Sequence, residues 1–334
     1  MASTTPTAVD ALFSKSLSTM VKGIRSSRDK AQTEYIGKCL AEIKKELIGS
    51  DPDDKTEALK KLIYLQLLGY DMSWAAFHII EVMSLNWIGH KRVGYLAAAL
   101  CFNEKTDVSL LATNLFKKAF QQSFSAGTPD IAEGIQYDVG AALSCFASII
   151  TPALANDLLN DVVALTNSSR PYIRKKAMLA MLRIFLKFPQ ALRMTFERVT
   201  EKLNDENPSV VSSVVYVLCE LAARNPKNYL GLAPQFFQIL TSSSNNWVLI
   251  KVVKLLGSLV PLEPRLAKKL QEPLTEIITT TPAKSLLYEC INTLLSGQIT
   301  SKAVVRLCLD KLREFIEAPD QNLKYLGLLG LHKL

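Results

Sequence analysis

Histidine is nearly absent: His78, His90 and His332 are the only three in 334 residues. That scarcity leaves little material for a histidine proton relay or a histidine-rich metal centre. His78 lies in the apolar run Trp74-Ala75-Ala76-Phe77-His78-Ile79-Ile80 and reads as a hydrogen-bonded structural histidine, while His90, beside Lys91-Arg92 at a turn, reads as solvated. Cysteine is sparse and scattered. The six (Cys39, Cys101, Cys145, Cys219, Cys290, Cys308) never come closer than 18 residues, which excludes a CxxC pair and points to reduced core thiols. Fourteen glycines and fourteen prolines leave long stretches free for helices, and thirteen Phe, ten Tyr and three Trp are few for an all-β chain. Long apolar runs are missing too. The longest uncharged stretch, Val139 to Asn156, is interrupted by Ser144, Ser148, Thr151 and Pro152, and Met1 to Phe13 has no secretory pattern.

Signatures of enzymes are equally lacking. No GxxxxGK[ST] loop, GxGxxG turn, HExxH helix or GxSxG elbow occurs, so no catalytic residue, metal site or cofactor is expected. Asp51, Asp53 and Asp54 lack the glycine and distal glutamate of a calcium loop and read as a helix-capping acidic turn. The net charge of +8 favours acidic partners. Its carriers are Lys22, Arg25, Arg28 and Lys30 in the first helical segment, then Lys44-Lys45, Lys60-Lys61, Arg174-Lys175-Lys176 and Lys268-Lys269. These alternate with acids and lack interleaved aromatics, so nucleic acid is not an expected partner.

What is present is a repeat. Ala58, Gly94, Gly140, Ala177, Val214, Val252, Cys290 and Gly327 are separated by 36, 46, 37, 37, 38, 38 and 37 residues. The residue after each anchor is apolar (Leu59, Tyr95, Ala141, Met178, Val215, Val253, Ile291, Leu328). So is the residue four on (Leu62, Ala98, Met181, Leu218, Leu256, Leu294, Leu331), except at Ser144. A 3–4 spacing marks one buried helical face, and a period near 37 holds two helices and two turns. The expected fold is therefore all-α: an armadillo/HEAT-like α-solenoid of about eight helix pairs. Ser169-Arg170-Pro171, Asn207-Pro208, Thr281-Pro282 and Pro319-Asp320 stand where the second helix of a pair should begin. The long step of 46 contains Ser123-Phe124-Ser125-Ala126-Gly127-Thr128-Pro129. It predicts an inserted surface loop over 121–136 within one solenoid domain, 1–334. The last repeat stops within its apolar face, as a piece of a longer chain would.

Several stretches resemble the adaptin amino-terminal region family. They include Asp71-Met72-Ser73-Trp74, His90-Lys91-Arg92-Val93-Gly94-Tyr95-Leu96, Thr113-Asn114, Arg170-Pro171-Tyr172-Ile173-Arg174-Lys175-Lys176, Arg224-Asn225-Pro226-Lys227-Asn228-Tyr229, Asn245-Asn246-Trp247-Val248-Leu249-Ile250-Lys251, Leu262-Glu263-Pro264-Arg265-Leu266 and Asp320-Gln321-Asn322-Leu323-Lys324-Tyr325. The resemblance covers about Asp10 to Leu334. It implies a non-enzymatic scaffold of a vesicle-coat adaptor complex in intracellular protein transport. Its implied partners are the sigma, beta and mu subunits, an Arf-type GTPase and acidic dileucine cargo bound for lysosome or vacuole. The implied location is cytoplasmic and peripheral on Golgi and endosomal membranes. In the family an arginine of a first-helix Ile-Arg sequence contacts the cargo signal, and Ile24-Arg25 matches it, so Arg25 is the expected contact. A lysine triplet that holds an inositide headgroup in one relative reads Lys55-Thr56-Glu57 here, so no such site is expected. The family's Lys-Asp-Leu after Thr113-Asn114 reads Lys118-Ala119-Phe120. Without the resemblance, a nuclear transport receptor or a phosphatase scaffold would fit the repeat equally.

Overall fold

A computed structural model describes residues 16–103, 106, 109–124, 129–297 and 301–333. Among the described residues there are seventeen α-helices, three short 3-10 turns and no strand. The helices are α1 (Leu17–Ser26), α2 (Asp29–Ile48), α3 (Pro52–Leu67), α4 (Ala76–Met83), α5 (Ile88–Cys101), α6 (Ser109–Gln122), α7 (Pro129–Ile149), α8 (Pro152–Leu165) and α9 (Pro171–Lys187). Then come α10 (Gln190–Glu201), α11 (Pro208–Ala222), α12 (Ala233–Ser242), α13 (Asn246–Leu259), α14 (Pro264–Thr280), α15 (Lys284–Ser296), α16 (Lys302–Glu317) and α17 (Gln321–His332). The fold is the expected α-solenoid. The chain divides into two compact units, residues 1–196 and 197–334.

In the first unit α3, α5, α7 and α9 pack side by side in chain order, and α2, α4, α6 and α8 lie against them. The second unit repeats the pattern with α11, α13, α15 and α17 as one row and α12, α14 and α16 as the other. Every anchor of the sequence repeat falls on a first-row helix, and all eight are buried. Small anchors serve close approach: a Cβ on Gly94 would lie 2.8 Å from the Met83 backbone nitrogen, and one on Gly327 would lie 3.0 Å from the Leu312 carbonyl oxygen. The core between α5, α6 and α7 is aromatic. Tyr95, Phe116, Phe120 and Phe146 have neighbouring ring centroids 5.9 to 6.3 Å apart, so the departure at Phe120 supplies core.

Four expectations need correction. Part of the loop expected at 121–136 is helical: α6 runs to Gln122 and α7 begins at Pro129, whose fixed φ suits a first turn, while 125–128 lie outside the described residues. Asn207 and Asp320 do cap their helices, accepting from Ser209 N–H at 3.0 Å and Asn322 N–H at 2.8 Å. Ser169 and Thr281 do not: the caps there are Arg170 and Ala283, neither through a side chain. Leu328 and Leu331 are exposed, because no described element covers that face of α17. Finally, His90 is not solvated, for the reason given below.

Candidate functional site

Helix α1 places the expected arginine. The Ser16 hydroxyl accepts the Thr19 N–H and starts the helix. Met20 and Ile24, four apart, are buried, which turns Lys22 and Arg25 to the opposite, exposed side. The far end is tied down several times. Ser26 and Ser27 hydroxyls donate to the Gly23 carbonyl at 3.0 and 2.8 Å, and Gln32 Nε2 donates to the Ile24 carbonyl at 3.3 Å. Gly23 lies against the Tyr35 ring so closely that an added Cβ would sit 2.3 Å from it. Arg25 is thus carried by a braced helix end, exposed, with no hydrogen bond or ion pair to a described residue. Lys22, Arg28 and Lys30 are exposed beside it in the chain, and the only acid between them is Asp29. A free, exposed guanidinium on a fixed base can form a forked, charge-assisted contact with a carboxylate.

The first turn of α3 behaves differently. Asp51 accepts the Asp53 N–H at 3.0 Å, the capping role expected of the acidic turn. Lys55 is buried against Glu81, Lys60 pairs with Glu57, and Lys61 is buried against both Glu46 oxygens at 2.7 and 2.8 Å. Thr56 donates its single hydroxyl proton to the Pro52 carbonyl at 2.7 Å, so His90 Nδ1 must be the donor in their 2.8 Å contact. His90 Nε2 then stands 3.6 Å from Asp53, and Trp87 meets the ring edge-on. The lysines of this turn are paired internally with Glu81, Glu57 and Glu46.

Much of the distinctive sequence turns out to fasten turns. The Asp71 carboxylate accepts both the Ser73 N–H and its hydroxyl at 2.9 and 3.0 Å, and these bonds hold it below the ordinary carboxylate range. Trp74 lies under the Lys44 ammonium at 4.9 Å. Arg174 donates to the Ser168 and Ser169 carbonyls at 2.9 and 3.1 Å. Asn245 caps α13 through the Trp247 N–H at 3.0 Å. Lys251 pairs with Glu220 at 2.8 Å over the Tyr216 ring; burial would lower its pKa, but the carboxylate raises it overall. All six cysteines are buried and none is in a disulfide. Among the described residues no cluster of three His, Cys, Asp or Glu could hold a metal, and no helix is long and apolar enough to cross a membrane. Sequence reasoning passed over exposed Trp247 and a cleft beside Phe102 and Arg183, whose walls come from helices far apart in the chain.

Comparisons with known proteins agree with this architecture. The family described as Adaptin N terminal region matches residues 32–334. The chain is 52% identical over 333 residues to AP-3 complex subunit delta-1 of Bos taurus, covering 98% of this chain and 27% of that one. It is 48% identical over 324 residues to AP-3 complex subunit delta of Dictyostelium discoideum, again 27% of that protein. A homology model of the full-length AP-3 complex in an intermediate open conformation aligns with a TM-score of 0.69 at 40% identity, over 85% of this chain and 48% of the matched one. The chain therefore spans about a quarter of the length of these two curated relatives.

Proposed function

The chain belongs to the adaptin N-terminal region family, and from that premise we propose that it is the first part of the trunk of a delta-type large subunit in an AP-3-like adaptor complex. Its work is non-enzymatic: it positions other subunits of a vesicle coat that carries cargo from Golgi or endosome toward lysosome or vacuole. Residues 1–334 belong to one trunk domain, a reading supported by the step of 37 between Ala177 and Val214, which keeps phase across the division of the two units. The sigma subunit is the direct partner, with beta and mu completing the assembly. An Arf-type GTPase and peripheral contact recruit it to the membrane.

Arg25 is the cargo contact in this reading, meeting the acidic residue of a dileucine signal at the boundary with sigma. The observation that carries the assignment is its exposed guanidinium, without a partner among the described residues, on a helix end braced by Tyr35 and Gln32. Co-expression of the chain with the type-3 sigma subunit, followed by size-exclusion chromatography, tests both parts. A one-to-one complex that binds an acidic dileucine peptide, and loses at least tenfold in affinity with Arg25→Ala, is expected. Binding indifferent to Arg25→Ala removes the site assignment, and a folded chain that forms no complex removes the scaffold role.

A further inference from the structure

We propose that one edge of the second unit docks on an anionic lipid surface; this gives a place to the membrane contact proposed above and rests on that reading. Connectivity sets the edge. Helix α11 ends at Ala222 and α12 begins at Ala233 after a 3-10 turn, α13 ends at Leu259 and α14 begins at Pro264, and α15 ends at Ser296 and α16 begins at Lys302. Connections this short bring the ends of first-row helices and the starts of second-row helices to the same side.

Each of the three connections delivers cations there. Arg224 and Lys227 follow α11, Arg265, Lys268 and Lys269 open α14, and Lys302 and Arg306 open α16; every one is exposed. The buried residues of α14 recur at Leu266, Leu270 and Leu274 and those of α16 at Val304, Cys308 and Leu312, which turns the cations outward. Among the described residues, the carboxylates near this edge are occupied: Glu220 pairs with Lys251 at 2.8 Å, and Glu263 accepts the Arg265 N–H at 3.2 Å as the cap of α14. The acids of α14 and α16 come later, from Glu272 and Asp310 onward. Glu276 follows Arg265 by about 16 Å along the helix, outside the screening length of about 8 Å at physiological salt. Further along α16, Lys311 and Arg313 pair with Glu314 and Glu317 at 2.8 and 2.7 Å, whereas no ion pair among the described residues takes up Lys268, Lys269, Lys302 or Arg306. Helix stability does not account for the arrangement, because Arg265 and Lys302 stand in first turns, where the helix dipole disfavours a cation. Three connections at helix spacings of about 8–10 Å spread the charge over roughly 20 Å. Such a band suits many headgroups at once rather than one ligand. Nucleic acid would want stacking aromatics, and the exposed Trp247 and Tyr325 lie near the starts of α13 and α17, on the opposite side.

The test is co-sedimentation of the full chain with vesicles of phosphatidylcholine containing phosphatidylserine, and with vesicles of phosphatidylcholine alone. Binding to the first at least tenfold stronger than to the second, and weakening as salt rises, is expected. The combined variant Lys268→Gln, Lys269→Gln, Lys302→Gln and Arg306→Gln should lose at least tenfold, because cations near a charged surface act together. Lys284→Gln with Lys324→Gln, on the opposite side, should leave binding unchanged, and far-UV circular dichroism confirms that both variants fold. Binding that survives in the fourfold variant, or that falls as far in the Lys284 and Lys324 variant, overturns the assignment of this edge and leaves the membrane contact standing. Equal binding to both vesicles overturns the anionic preference, and no binding to either overturns the edge and the membrane contact together. Tighter binding to soluble poly-glutamate than to vesicles overturns the lipid assignment and gives the edge to an acidic protein segment.

Discussion

Gly94 is the sharpest place to test whether small anchors set helix spacing. A methyl group there would meet Met83 at its nitrogen (2.8 Å), its Cγ (3.0 Å) and its Cα (3.1 Å). Two of those three atoms are backbone and cannot swing aside, so α4 and α5 must separate. Overpacking of this kind costs about 1–3 kcal/mol. Alanine recovers about 1 kcal/mol of helix propensity relative to glycine. Gly94→Ala is therefore expected to destabilise the chain by about 1 kcal/mol net. Gly37 is the internal control: it lies within α2 with nothing within 4 Å of a built Cβ. Gly37→Ala should stabilise by about 0.5–1 kcal/mol. With a urea slope of about 2 kcal/mol/M, the first variant lowers the denaturation midpoint by roughly 0.5 M and the second raises it by a few tenths. The assay is urea denaturation followed by far-UV circular dichroism. A Gly94→Ala midpoint equal to or above wild type, alongside a raised Gly37→Ala midpoint, would refute the spacing argument, because propensity would then be acting alone.

Other outcomes follow from the same structure. Glu46→Ala leaves Lys61 buried without its counter-charge and should cost about 3 kcal/mol, while the double variant with Lys61→Met should recover most of it. Thermal melts of the three proteins check this, and equal melting of single and double variants would contradict it. Burial pushes Cys145, Cys219 and Cys290 from the ordinary 9.0 to about 12. The unfolded chain then releases these protons first, so their contribution is complete below pH 9 and is lost as pH rises toward 12. Urea midpoints across that range should fall less steeply in Cys145→Ala, and maleimide should not label native thiols at pH 8; prompt labelling would count against their burial.

The repeat was legible because each first-row helix packs the same face against its neighbours, so one phase of apolar residues recurs from Ala58 to Gly327. The 3–4 pattern at Val214, Val215 and Leu218 is burial written directly into sequence. Three features were not legible. The partners of His90 lie 34 and 37 residues away on the first turn of α3, and no local pattern announces them. Glycine and serine near 123–128 carry loop character, which hid the helix that begins at Pro129. The cleft beside Arg183 draws Phe102 and Ile149 from two earlier helices, a juxtaposition that exists only after stacking. Arg25 was found through a family likeness, and the structure adds the brace of Tyr35 on Gly23.

The inter-helix lysine pairs make the first unit's repeats non-interchangeable. Lys61 answers to Glu46, Lys55 to Glu81 and Lys91 to Asp138, each pair joining two particular helices. An array held by apolar faces alone tolerates shuffling, since any hydrophobic ridge suits any groove. Here a deleted or transposed helix pair would strand a charge in the interior. Each repeat thus carries the address of its neighbour, and an engineer wishing to lengthen or reorder this stack must move the pairs together.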